Sequence, residues 1–181
     1  MNTLLQPPPA GFHEPLELLH ACHQRIRNTL EILERLHVHL AGGGSPEDAA
    51  LAAQRVLKYF REAAPLHHAD EENDLFPRLR AYCDHADADA RLGDWLDALT
   101  AAHAPLEAGW ERLAPALERV VNGKPDALPA SDDWVRAYRA HLEMEENLIL
   151  PLAEHLLTPA ERAAIGAAMA ARRGLEPHGN D

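Results

Sequence analysis

The sequence predicts an all-α protein: a four-helix bundle made of two similar helical hairpins, followed by a short extra helix. Three observations predict it. Ala and Leu dominate the 181 residues, β-branched residues are few and aromatics make up only 5%, a balance that favours helix. Apolar residues recur at helical spacing along several long stretches. One eleven-residue pattern also occurs twice, from His67 to Pro77 and from His141 to Pro151. In each copy a His is followed four places later by Glu-Glu-Asn and ten places later by Pro.

Taken in order, residues 1–14 carry three consecutive prolines and read as an extended arm, with Phe12 placed to pack back onto the body. Helix one runs from Pro15 to Ala41, with Pro in its first turn. Leu16, Leu19, His23, Ile26, Leu30 and Leu33 define its buried stripe, and Gly42-Gly43-Gly44 ends it. Ser45-Pro46-Glu47-Asp48 is a helix start: a cap, a proline and acidic residues for the dipole. Helix two should reach roughly Tyr82, kinked or interrupted at Pro65 and again at Pro77. Helix three spans about Asp89 to Val121, with Leu96, Leu99, His103, Leu106, Trp110, Leu113 and Leu117 on one stripe, although Pro105 and Pro115 bear on its continuity. Asn122-Gly123-Lys124-Pro125 stops it. Ser131-Asp132-Asp133 starts helix four, which carries Trp134, Tyr138, His141 and Glu145. The bundle thus occupies residues 15–156. Thr158-Pro159-Ala160-Glu161 is a capping box that opens a short helix within 157–174, and 175–181 reads as a loose tail.

The repeat extends beyond the motif. With His23 aligned on His103, Leu16, Leu19, Ile26, Leu30 and Leu33 fall on Leu96, Leu99, Leu106, Trp110 and Leu113. With His67 aligned on His141, Phe60 falls on Trp134. Each hairpin then has one His on its first helix and a His-x-x-x-Glu pair on its second, and i,i+4 residues share a helix face. Six side chains converge in such a bundle: His23, His67, Glu71, His103, His141 and Glu145. Burying four imidazoles and two carboxylates is costly unless a cation neutralises them. The bland alternative is a set of hydrogen-bonded His–Glu pairs or solvated faces. Imidazole plus carboxylate suits iron, manganese or zinc, and six ligands with two carboxylates able to bridge favour a dinuclear centre.

Neighbouring residues are placed by register. The other copy has Leu142 where His68 stands, so the symmetric choice is His67 with Glu71; His20, whose counterpart is Thr100, reads as a gate or an outer residue of the site, and His20 or His68 is the alternative ligand. Glu72 and Glu146 point about 100° away from the ligand face and read chiefly as solvated charges, or else as outer acceptors or interhelix pairs. A Glu107–Arg27 ion pair is expected from their matching positions. Tyr138 is either a hydrogen-bond donor into the site or a core aromatic. His13, His37, His39, His85, His155 and His178 are expected to be exposed, and Cys22 to pack.

A formal charge of −12 argues against nucleic-acid or acidic-membrane partners. Two cysteines, no signal-like start and no apolar run long enough to span a bilayer point to a cytoplasmic protein. The sequence has no nucleotide loop, Cys-x-x-Cys or serine elbow.

His-x-x-x-Glu-Glu followed by Leu-Phe-Pro, with a lone His on the preceding helix and the whole pattern duplicated, resembles the hemerythrin-like family of HHE cation-binding domains over about residues 15–156. The resemblance implies an up-down-up-down bundle around two non-haem iron ions. It implies His23, His67, Glu71, His103, His141 and Glu145 as ligands, with Glu71 and Glu145 bridging beside an oxo or hydroxo bridge; zinc or manganese are the other candidate metals. Oxygen-carrying members have a second His one turn away on helix three and an Asp five places after the helix-four His. Here Leu99 and Glu107 flank His103, and Glu146 stands five places after His141. The resemblance therefore points away from reversible oxygen carriage, towards sensing or handling of iron, O2, NO or peroxide by a small ligand at the centre. Two other functions are carried alongside: a di-iron peroxidase or oxidase, and an interaction protein whose metal is structural.

Overall fold

The structure, a computed structural model, describes residues 11–124 and 128–175. The first ten residues of the expected arm, Pro125 in the second loop, and the tail beyond 175 with His178 lie outside the described residues. Helix α1 spans Pro15–Ala41 and ends at glycines, Gly43 taking φ 68°, a conformation open to glycine without strain. Its stripe is as expected from Leu19 to Leu33, but Leu18 is buried while Leu16 is only half-buried. Helix α2, Pro46–Glu62, is capped by Ser45, whose hydroxyl accepts the Asp48 N–H.

The rest of the expected second helix is divided. Pro65 cannot donate a backbone bond, and the helix breaks at Ala63. Helix α3 (Ala64–Asp70) then widens into a π-helical turn, π1 (Glu71–Leu75), before α4 (Phe76–Arg80). At the end of π1 the Phe76 N–H bonds back five residues, to the Glu71 carbonyl. Pro77 therefore does not break the helix as expected. The wide turn just ahead of it gives its ring room that an ordinary turn would fill with a carbonyl.

Helix α5 runs unbroken over Leu92–Val121, through Pro105 and Pro115. Helix α6 (Asp132–Met144) widens in turn into π2 (Glu145–Ile149), with the Leu150 N–H bonded to the Glu145 carbonyl, and continues as α7 (Leu150–Leu156), whose second residue is the proline of the second copy, Pro151. Both copies of the motif thus carry the same wide turn, beginning at the same Glu. Helix α8 (Pro159–Arg172) opens with the expected capping box of Thr158 and Glu161.

α1 packs on α2, α2 on α5, α5 on α6, and α6 back on α1, which closes a four-helix ring. Two apolar cores fill it. One joins Ile26, Leu30, Leu33, Phe60, Leu106, Leu113, Trp134 and Tyr138; the other joins Leu19, Leu75, Leu79, Leu96, Leu99, Ile149 and Ile165. Between them every helical arm contributes a His. α8 lies outside the ring against α1, α3 and π1. Arg172 at its end and Arg173 just beyond bond the fully buried Asp70, and Arg172 also reaches Asp74 at 2.6 Å.

Gly109 on α5 lets the Trp134 indole come close: a Cβ there would lie 2.1 Å from Trp134 Cδ1, and Trp134 Nε1 donates to the Leu106 carbonyl at 2.8 Å. Gly109→Ala should therefore cost about 1–3 kcal/mol by overpacking, despite alanine's better helix propensity. Gly93→Ala, whose Cβ would meet only Cys83 Sγ at 3.7 Å, should be neutral or gain up to about 1 kcal/mol. Urea midpoints of the two variants should move in opposite directions.

Candidate metal centre

The six predicted side chains meet in the layer between the two cores. His23 comes from α1, His67 from α3, His103 from α5 and His141 from α6. Glu71 and Glu145 are the first residues of the two wide turns. All six are at most 5% exposed. His67 Nε2 lies 3.1 Å and His23 Nε2 3.7 Å from Glu71 Oε1, while Glu71 Oε2 faces His103 Nε2 at 3.6 Å. Glu145 mirrors this: Oε2 lies 3.3 Å from His23 Nε2, and Oε1 lies 3.2 Å from His141 Nε2. Each carboxylate thus turns one oxygen to each half of the layer.

Two overlapping quartets result, His23–His67–Glu71–Glu145 and Glu71–His103–His141–Glu145, each with its donor atoms within 4.8 Å of one another. Donors bound at about 2.1 Å to one ion stand at most about 4.2 Å apart, so each quartet needs only a small contraction to close on a cation. The polar atoms are also short of partners. His23 Nε2, both ring nitrogens of His67, Glu71 Oε2, His141 Nδ1 and both oxygens of Glu145 are buried without a well-formed hydrogen bond. Native interiors rarely leave such a cluster unsatisfied, so the donor set fits a bound metal cation.

Electrostatics agree. Burial, reinforced by the surrounding imidazoles, holds His67 far below its ordinary pKa, and burial also lowers His23 and His103. Neutral imidazole is the metal-binding form. Burial and the neighbouring Glu145 push Glu71 well up. Burial pushes Glu145 the same way, but the facing His141, His23 and His103 outweigh it and bring it below the carboxylate range.

The second Glu of each motif is more than the solvated charge the sequence suggested, although Glu72 stays exposed while Glu146 is half-buried. Each crosses to the other hairpin. Glu146 Oε1 lies 3.2 Å from His23 Nδ1, and Glu72 Oε1 lies 2.5 Å from His103 Nδ1. A carboxylate there keeps the proton on Nδ1 and turns the Nε2 lone pair towards the centre, where His103 Nε2 lies 3.1 Å from His141 Nε2. Arg27 does not pair with Glu107; it donates twice to Glu146, at 2.6 Å each. The signal for these roles was present in the doubled Glu-Glu, but which helix each second Glu would reach depends on bundle packing.

His68 is not in either quartet. It stacks on His103 with centroids 4.1 Å apart, and its Nε2 lies 3.0 Å from the Tyr138 hydroxyl. Burial and the nearby His103 push it down to about 3, so it stays neutral. Tyr138 is both a core aromatic and a partner of this ring. His20 is exposed, with Nδ1 3.9 Å from Glu146 Oε1. His20, His23 and Glu146 also converge, but the Arg27 guanidinium already on Glu146 opposes a cation there. His37, expected exposed, is half-buried and bonded to Ser131 at 2.8 Å. Cys22 is buried, as expected.

No helix among the described residues is long and apolar enough to cross a membrane. A protein of Haemophilus influenzae, described as an uncharacterized protein, is 28% identical over 169 residues, spanning 92% of this chain and 94% of the relative. Residues 14–153 match the family model described as Hemerythrin HHE cation binding domain. With most of its length covered by that match, and a layer of His and Glu able to hold cations at its middle, the chain belongs to the hemerythrin family of HHE cation-binding domains.

Proposed function

We propose that the bundle of residues 15–156 holds two non-haem iron ions, and that the protein binds, senses or handles iron, O2, NO or peroxide rather than carrying O2. His23 and His67 hold one ion, His103 and His141 the other, and Glu71 and Glu145 bridge them. The observation that carries this reading is the split of each buried carboxylate between the two imidazole pairs. Bound iron supplies a redox-active centre that takes a small ligand. The chain's own part is to present neutral Nε2 atoms, to fix two of the rings through Glu72 and Glu146, and to keep bulk water out between two apolar cores. A di-iron peroxidase or oxidase is the second reading, favoured by the His68–Tyr138 pair beside His103.

Protein purified from iron-replete cells should carry about two irons per chain, as a two-ion carboxylate bundle requires, with near-ultraviolet charge-transfer absorption. His141→Ala should lower the iron content and His85→Ala should not. Less than one iron per chain, with none taken up anaerobically, would exclude the reading. Glu72→Ala and Glu146→Ala should each weaken metal affinity by about 10–100-fold without removing a ligand. Competition with a chromophoric chelator measures this, and an unchanged affinity would reduce both residues to surface charges.

A further inference from the structure

A cleft of about 470 Å3 opens between α3 and α5 on the His103 side of the centre. It is far larger than a diatomic ligand needs and within the range of pockets that hold organic molecules. One position sets this side apart from the other. Four residues after His23 stands Arg27, which covers Glu146 with its guanidinium. Four residues after His103 stands Glu107. Glu107 cannot cover Glu72, and it makes no hydrogen bond or ion pair among the described residues. Glu72 holds His103 Nδ1 and is otherwise 40% exposed to the cleft. Where one hairpin has a carboxylate and a guanidinium, the other therefore has two carboxylates. Arg61 on the cleft wall is already engaged by Glu118. Trp110, half-buried on the cleft wall and packed on the core Phe60, supplies aromatic surface beside these acids.

We propose that this cleft binds a small planar organic cation. Its amidinium- or guanidinium-like head sits on Glu72 as Arg27 sits on Glu146, and its apolar body lies against Trp110. Glu107 adds charge at the mouth. A planar head suits a carboxylate because both its N–H groups can be used at once, and the aromatic faces favour the cation further. Anions are repelled. The site borders the centre through His103 but does not depend on a metal being there.

The test is calorimetric titration of the full-length protein with benzamidine, benzamide and benzoate, which share one ring and differ in charge. It is run on iron-loaded and on chelator-treated samples. Benzamidine should bind about tenfold or more tightly than benzamide, the worth of a charge-assisted bond, and benzoate should not bind. Glu107→Arg, which rebuilds the Arg27–Glu146 arrangement against Glu72, should abolish benzamidine binding; Glu107→Gln should weaken it severalfold. Equal affinity for the three compounds, or unchanged benzamidine binding in Glu107→Arg, overturns the assignment. Charge-selective binding by a protein that takes up no iron upholds the cleft and defeats only the iron reading.

Discussion

A chain carrying Arg172→Met and Arg173→Met should lose about 3–5 kcal/mol of stability, the cost of leaving a buried charge without its partner. Asp70 is fully buried, and its partners are the guanidinium groups at the end of α8: Arg173, the residue that caps it, approaches both oxygens, at 3.1 and 2.7 Å, and Arg172 bonds Oδ1. Methionine keeps most of the length and apolar stem of arginine but not its charge, so packing is largely retained. At about 2–4 °C per kcal/mol for a chain of this size, the melting temperature should fall by about 6–20 °C. Adding Asp70→Asn to the double variant should recover part of the loss, because the stranded charge is then gone. If the double variant melts like the wild type, Asp70 is not sealed beneath α8. Since Asp70 immediately precedes Glu71, the same variants should also loosen the metal layer.

Removing the metal should have an effect of similar size. A ligand present at about a thousandfold above its dissociation constant stabilises the folded state by about 4 kcal/mol. For this chain that is about 8–16 °C in melting temperature. Without a cation, burial and the neighbouring Glu145 disfavour the charged form of Glu71, and the buried imidazole nitrogens and carboxylate oxygens go unanswered. Scanning calorimetry of loaded, chelated and reloaded protein should show the loss and its reversal. Glu71→Gln with Glu145→Gln should melt at one temperature whether or not metal is added. An unchanged transition on chelation would show that the layer is satisfied without a cation.

Much of this was legible in the residues themselves. Ser45, Thr158 and the prolines that follow them mark helix starts through local chemistry, and the structure keeps both caps. The duplicated His-x-x-x-Glu could be read because i,i+4 spacing alone puts the two groups on one face. The outer contacts could not. Whether Glu146 meets Arg27 or solvent is decided by how far α6 and α1 are rotated towards each other, and Glu146 lies 119 residues from Arg27 in the chain. The salt bridges from α8 to Asp70 are equally non-local. The wide turns were missed for a different reason. A π turn has almost no propensity signature of its own, and the proline that accompanies it reads as a break.

Those two wide turns have a consequence for how the hairpins are phased. In an unbroken α-helix the angle from Glu71 returns to nearly the same bearing at Arg78, seven residues on, since each residue advances about 100°. The added residue in the turn delays that return by one place. Leu79 then comes inward and is fully buried, while Arg78 swings outward to hold the Asp74 carbonyl. The second copy does the same with Ala153. Each hairpin therefore carries its own one-residue clock correction at the acid that marks the layer, and the same helix can supply polar groups on one side of that point and grease on the other.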